Sequence, residues 1–209
     1  MSRAPRVFLA APYSQWMNFT IGTVDPLWRK RLDTLRRAMM DRGAEVFNAH
    51  HNEAWGAHWL SAEVCTPVDF AAMRLADAVC AVVGHPLSGG VAIELGWASA
   101  LGKPTLLVVP PGDPGSPLIT GLGMVTRTRY LDEPDAWQES DLADIATATL
   151  ALVEPGALDR EPAAVPPVPG PPARTGPPAH VLDTHVVFCS QARCGHTAAP
   201  ARLTSAYSG

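Results

Sequence analysis

Along the first three quarters of the chain, short apolar runs alternate with stretches whose apolar residues recur at helical spacing. Val7-Phe8-Leu9-Ala10 is an unbroken apolar run closed by Pro12, the pattern of a strand buried on both faces. Over residues 26–42 the apolar positions Trp28, Leu32, Leu35 and Met39 fall on one helical face, and Gly43 follows in the usual helix-stopping place. Further strands are predicted at 44–48, 78–83, 105–109 and 126–131, with helical patterns between most of them. Leu142, Ile145, Thr149 and Leu152 share a face and predict a closing helix. Strands alternating with helices imply an α/β fold: a doubly wound, Rossmann-like parallel sheet of about five strands with helices on both faces. Ligands bind such sheets beyond the carboxyl ends of the strands, so the loops after Ala10, Asn48 and Val83 are expected to meet at one pocket.

The alternation stops near Val153, which sets a catalytic domain at 1–153. Residues 154–178 form a Pro, Gly and Ala tract containing "PPVPGPPARTGPP", a composition that cannot pack or hydrogen-bond into a core and reads as an extended linker. The tail, 179–209, holds one short apolar run, Val186-Val187-Phe188, offers little to bury and is expected to be mostly disordered. His180, His185, Cys189, Cys194 and His196 fall in it, but their spacing matches no zinc pattern, so no metal site is expected.

At 209 residues, 47% of them hydrophobic, the chain can bury one sizeable core. The net charge of -4 and the scattered basic residues exclude the basic stripe that tracks a phosphate backbone, and with it a nucleic-acid polymer as partner. No apolar run approaches a membrane span, and residues 1–12 lack the order of a secretory signal, so a cytoplasmic protein is expected. The four cysteines, Cys65, Cys80, Cys189 and Cys194, are too few and too irregular for a disulfide framework, and Cys80 reads as a small buried hydrophobe.

The candidate chemistry lies in the loops. Ser88-Gly89-Gly90 leads into a helix, where backbone N–H groups and the helix dipole can cradle an anion, although a Gly-Gly turn is more often only a tight connection. Glu94, about one turn further in, is ordinarily a solvated helix-start glutamate. Here it stands among Val91, Ala92, Ile93, Leu95 and Trp97, and a carboxylate in apolar company is costly unless used or paired. Asp69 and Asp77 lie about two turns apart on a helix running into the third strand. Asp77 reads as a junction residue, whereas Asp69 can reach the pocket. His50 and His51 follow the second strand at the pocket mouth, more often a hydrogen-bonded wall than an acid or base. Trp55, Trp59 and Trp97 can stack on a base, though tryptophans are usually core. The loop after Tyr13, with Trp16 and Phe19, is the candidate lid.

Four segments carry a joint pattern: "VFLAAPY" at 7–13, "FNAHHNEAWGAHWLS" at 47–61, "VDFAAMRLADAVCAVVG" at 68–84 and "SGGVAIELGWASALGKPTLLVV" at 88–109. In order and spacing they resemble the nucleoside 2-deoxyribosyltransferase superfamily, and within it most the CMP and hydroxymethyl-CMP N-glycosidases of nucleoside-antibiotic biosynthesis, of the mildiomycin type. The resemblance implies Glu94 as nucleophile, Asp69 as proton donor to the departing base and Tyr13 as a phenol that orients the nucleophile. It also implies that Ser88 contacts a 5′-phosphate. Ser116, in "GSPLITGLG", matches a second phosphate contact offered by the neighbouring subunit of a homodimer. Ser14 departs from the pattern, which places an arginine directly after the aromatic.

Cleaving an N-glycosidic bond passes through an oxocarbenium-like state, which needs a carboxylate on one face of the sugar and a proton donor at the base. Glu94 ionised and Asp69 kept protonated by burial meet that need, with water releasing the sugar phosphate. The expected substrate is a nucleoside 5′-monophosphate of the CMP type, with no cofactor. Two alternatives remain open: a transferase that passes the same intermediate to a second base, and a catalytically silent nucleotide-binding module.

Overall fold

The structure, a computed structural model, describes residues 3–112, 115–153 and 188–189. The expected linker and nearly all of the expected tail lie outside the described residues. Five parallel strands form one sheet: β1 (Arg6–Ala10), β4 (Glu45–Phe47), β5 (Ala78–Val82), β6 (Thr105–Val109) and β7 (Thr128–Asp132), in the order β4-β1-β5-β6-β7. A small antiparallel hairpin, β2 (Met17–Asn18) and β3 (Thr23–Val24), stands apart from it.

Every residue of β5 and β6 is buried, because helices cover both faces and each strand can be apolar throughout. Alternate strand residues serve two cores. Val7, Leu9, Cys80, Val82, Leu106 and Val108 pack with helices α1 (Pro26–Met40) and α6 (Glu139–Leu150). Phe8, Ala10, Val79, Ala81, Leu107 and Val109 pack on the opposite face with α3 (Ala62–Leu75) and α4 (Gly89–Ala100). Helix α1 starts where Asp25 accepts a hydrogen bond from the Leu27 N–H, with Pro26 at its first position, and its buried face carries Leu32, Leu35 and Met39.

The expected strand at 126–131 lies slightly later, as β7. The hydroxyl of Thr126 donates to the Lys103 carbonyl, and ladder pairing with β6 starts at Thr128. Of the tail only Phe188 and Cys189 are among the described residues. Cys189 is buried and exchanges both backbone hydrogen bonds with Val46, at 2.9 and 3.0 Å, while the Phe188 ring lies 5.9 Å from that of Phe47. The outer edge of β4 presents unpaired N–H and C=O groups, and this bridge satisfies some of them. Among the described residues no helix is long and apolar enough to cross a membrane.

Candidate active site

From β1 the chain passes to β4 on one side, and later to β5 on the other, so the connections diverge at the carboxyl ends of β1 and β5. A pocket of about 350 Å³ opens there. The end of β1 supplies Ala10 and Ala11, the following loop Tyr13 and Ser14, helix α2 (Ala49–Asn52) and the turn after it His50 and Glu53, α3 Cys65 and Asp69, and the start of α4 Ser88, Gly90 and Glu94. Of the residues singled out in the sequence, Tyr13, Ser14, His50, Asp69, Ser88, Gly90 and Glu94 therefore share one cavity.

Helices α3 and α4 pack side by side on one face of the sheet, which brings Asp69 and Glu94 to the same space. Neither carboxyl has a hydrogen-bond or ion-pair partner among the described residues. Burial pushes Asp69 up to about 7, and the charge of Glu53 adds to the effect. Burial likewise raises Glu94 well above the ordinary glutamate value, with the Asp69 charge as the second cause. Such a pair retains a proton near neutrality, because two desolvated carboxylates beside each other cannot both ionise cheaply.

Tyr13 donates its hydroxyl hydrogen bond to Glu53 Oε2 at 2.9 Å, so its partner is Glu53 and not the Glu94 carboxylate. Burial, and then the charge and hydrogen bond of Glu53, raise the phenol further from ionisation. His50 is 2% exposed, stacks on Tyr13 with ring centroids 4.5 Å apart, and donates from Nε2 to the Pro12 carbonyl at 3.0 Å. That bond leaves Nδ1 without a proton and without a partner. Burial lowers His50 to about 4, so it is a neutral wall at ordinary pH. Asn48 holds this wall in place: its amide donates to the Leu9 carbonyl at 3.0 Å and its oxygen accepts from the His51 N–H at 3.1 Å. Trp59, 55% exposed, meets Tyr13 edge to face at 5.1 Å, whereas Trp55 is buried.

Glu53 was not singled out in the sequence, although it sits inside the "NAHHNEAWGA" segment. Its signal is a carboxylate among Ala54, Trp55 and Gly56, and it is 7% exposed. Burial raises it above the ordinary glutamate value, against hydrogen bonds from Tyr13 and the Leu60 backbone that favour the charge.

Ser88 precedes the first residue of α4 and is buried, and its hydroxyl makes no capping bond to the helix. A Cβ on Gly89 would meet nothing within 4 Å, and one on Gly90 only the Ser88 Oγ at 3.8 Å, so no neighbour in the described chain requires glycine at either position. Ser14 is an exposed rim residue, and Gly89 lies just outside the lining. Ser116 is outside the pocket, where it caps helix α5 (Pro117–Thr120) by accepting from the Leu118 N–H at 3.3 Å. Asp77 holds Arg3 in a two-pronged ion pair, both contacts at 2.6 Å, and has a structural role. No lysine or arginine lines the pocket. Among the described residues no group of three or more His, Cys, Asp or Glu side chains is arranged to hold a metal ion.

No family model matches the chain, and no curated protein matches it in sequence. Solved structures do. The CMP N-glycosidase BcmB of Clostridium botulinum is 29% identical, with a TM-score of 0.51 over 68% of this chain and 98% of that one. BlsM, known from its solution structure, is 32% identical, with a TM-score of 0.61 over 79% of this chain and 100% of its own. With that identity over the full length of BlsM, the chain belongs to the same family as BlsM.

Proposed function

We propose that the protein is a hydrolase cleaving the N-glycosidic bond of a nucleoside 5′-monophosphate, a pyrimidine nucleotide of the CMP type, to free base and sugar 5-phosphate through a covalent glycosyl-Glu94 intermediate. The observation that carries this reading is the pair of unpartnered carboxyls, Asp69 and Glu94, in one pocket, with burial holding Asp69 up to about 7. The CMP N-glycosidase activity in the name of BcmB supports the substrate class.

In the proposed reaction a Glu94 oxygen attacks the anomeric carbon as the carbon–nitrogen bond breaks. The electron pair leaves with the base, which takes the Asp69 proton. Asp69, now ionised, then removes a proton from water. The water oxygen bonds to the anomeric carbon and frees the Glu94 carboxylate. The Ser88 hydroxyl and the N–H groups at the start of α4 would receive the 5′-phosphate, and the open space at Gly89 and Gly90 gives it room to approach. The reading includes a homodimer. Ser116 starts the helix that carries Leu118, and Leu118, Met124 and Val125 are 82%, 92% and 75% exposed, apolar side chains that a second copy would cover while taking Ser116 to its phosphate.

The test is incubation with a panel of nucleosides and 5′-monophosphates, with and without an added second base, while free base and new nucleoside are measured. Wild type releases base from CMP, and Glu94→Ala lowers the rate by at least about a thousandfold while remaining folded. Base release by Glu94→Ala at the wild-type rate would sink the mechanism, and a new nucleoside formed from the added base would replace hydrolase by transferase.

A further inference from the structure

We infer that Glu53 reads the base: its carboxylate, fixed by Tyr13 on the pocket wall, accepts a hydrogen bond from the exocyclic amino group of a base such as cytosine and rejects a carbonyl at that edge, as in uracil. This rests on the proposed glycosidase reading and adds to it the residue that chooses the substrate.

The backbone around Glu53 is the most contorted in the described chain. Ala54, Trp55 and Gly56 follow it with φ of 50°, 61° and 93°, three successive residues in the left-handed region, two of them with side chains. Such strain persists only where surrounding structure over-determines it, and it gathers at ligand sites. Here the N–H groups of Gly56 and His58 both donate to the Glu53 carbonyl at 3.1 Å, and Trp55 is buried. The turn thus sends the Trp55 side chain into the core while the preceding carboxylate stays on the pocket wall.

The three pocket carboxyls differ in their partners. Asp69 and Glu94 have none among the described residues and are free to take part in bond making. Glu53 is held by the Tyr13 hydroxyl at 2.9 Å, which suits a group that must keep one orientation. A carboxylate only accepts hydrogen bonds, so the ligand edge that meets it must donate. Its place along the pocket selects base over sugar. Glu94 shares α4 with Gly90 and follows Ser88, where the sugar phosphate is proposed to sit, whereas Glu53 follows α2 and is bonded to Tyr13, whose ring meets Trp59. With Glu94 at the sugar and Asp69 at the departing nitrogen heterocycle, Glu53 and its aromatic neighbours are left for the base. Trp59, half exposed in the same pocket and edge to face with Tyr13, offers an aromatic surface for the base.

The experiment measures calorimetric binding of CMP and UMP to Glu94→Ala protein with and without Glu53→Gln, together with base release by wild type and the Glu53→Gln single variant. Glutamine keeps the volume and can still accept from Tyr13, but it turns an N–H toward the base, which now suits uracil. The expected result is a preference of about a hundredfold for CMP in the Glu94→Ala protein that collapses in the double variant, with UMP binding gained outright. An unchanged CMP to UMP ratio, or an equal loss for both, overturns the inference. Should Glu53→Gln not fold, Tyr13→Phe is read in the same assay. It is expected to narrow the ratio several-fold without gain for UMP, and a ratio held at its starting value overturns the inference. The two readings fail separately. A collapsed binding ratio with no base released by wild type keeps Glu53 as the reader and removes the hydrolase, whereas base release with an unmoved ratio does the reverse.

Discussion

Replacing Asp69 by asparagine should stabilise the fold while abolishing the proposed chemistry, and the gain should depend on pH in a direction set by the burial of that carboxyl. Asp69 ordinarily titrates at 3.8, and in the folded pocket it is pushed up to about 7. Below the unfolded value both states hold the proton and burial costs nothing. Between the two values the folded state keeps a proton that the unfolded chain has lost, so stability falls as pH rises; above about 7 the cost is complete and level. The full interval corresponds to roughly 4 kcal/mol, and solvent at the pocket mouth reduces this to about 2 kcal/mol. Asparagine has no proton to hold, so Asp69→Asn is expected to melt about 4–8 °C above wild type at pH 8. At pH 5 only the first part of the interval has been crossed, and the gain should be less than half as large. Thermal melts of both proteins by circular dichroism at the two pH values give the answer. In the same samples kcat/KM of wild type should fall as pH rises through about 7, where Asp69 loses the proton that the proposed reaction requires it to donate. An Asp69→Asn protein that melts with wild type at pH 8 would refute the desolvation argument, and one that releases base normally would refute the acid.

Two further outcomes follow from particular contacts. Gly56→Ala forces a side chain onto φ 93° with its Cβ 2.8 Å from Met17 Sδ, so it should cost about 1–3 kcal/mol in chemical denaturation and loosen the Glu53 turn, lowering activity on CMP. Ser116→Ala should lower kcat/KM for CMP by roughly tenfold while leaving cytidine unaffected, if the hydroxyl meets the phosphate of a neighbouring copy; equal losses on both would remove that role.

The inner strands were legible because they are buried on both faces. A run such as Val79-Cys80-Ala81-Val82 admits little else in a chain that alternates with helical patterns, and the strand at 105–109 was placed to the residue. The β2–β3 hairpin was not legible, because its strands are two residues each and carry no period. Asp69, Glu94 and Ser88 were legible as pocket groups because the loops at the carboxyl ends of the strands must converge. Glu53 was not, since its place depends on left-handed backbone at Ala54 and Trp55, residue types that rarely adopt it, and only Gly56 hints at the turn. The pairing of Tyr13 with Glu53 joins residues forty apart and has no local signature. The same holds for Cys189 against Val46, a single bridge at an open strand edge between residues far apart in the chain.

The lining of the pocket holds three carboxyls and no lysine or arginine, an arrangement at odds with an anionic substrate unless most of that charge is suppressed. The start of α4 contributes roughly half a positive charge and a few N–H groups, which cannot offset three carboxylates together with a phosphate. Burial resolves part of the conflict by raising Asp69 and Glu94, so that in the empty pocket protons neutralise much of what a phosphate would meet. The developing positive charge on the sugar in the proposed reaction then favours ionised Glu94, the carboxylate proposed to attack. In the proposed reaction, Asp69 is left with the shared proton, which departs with the base.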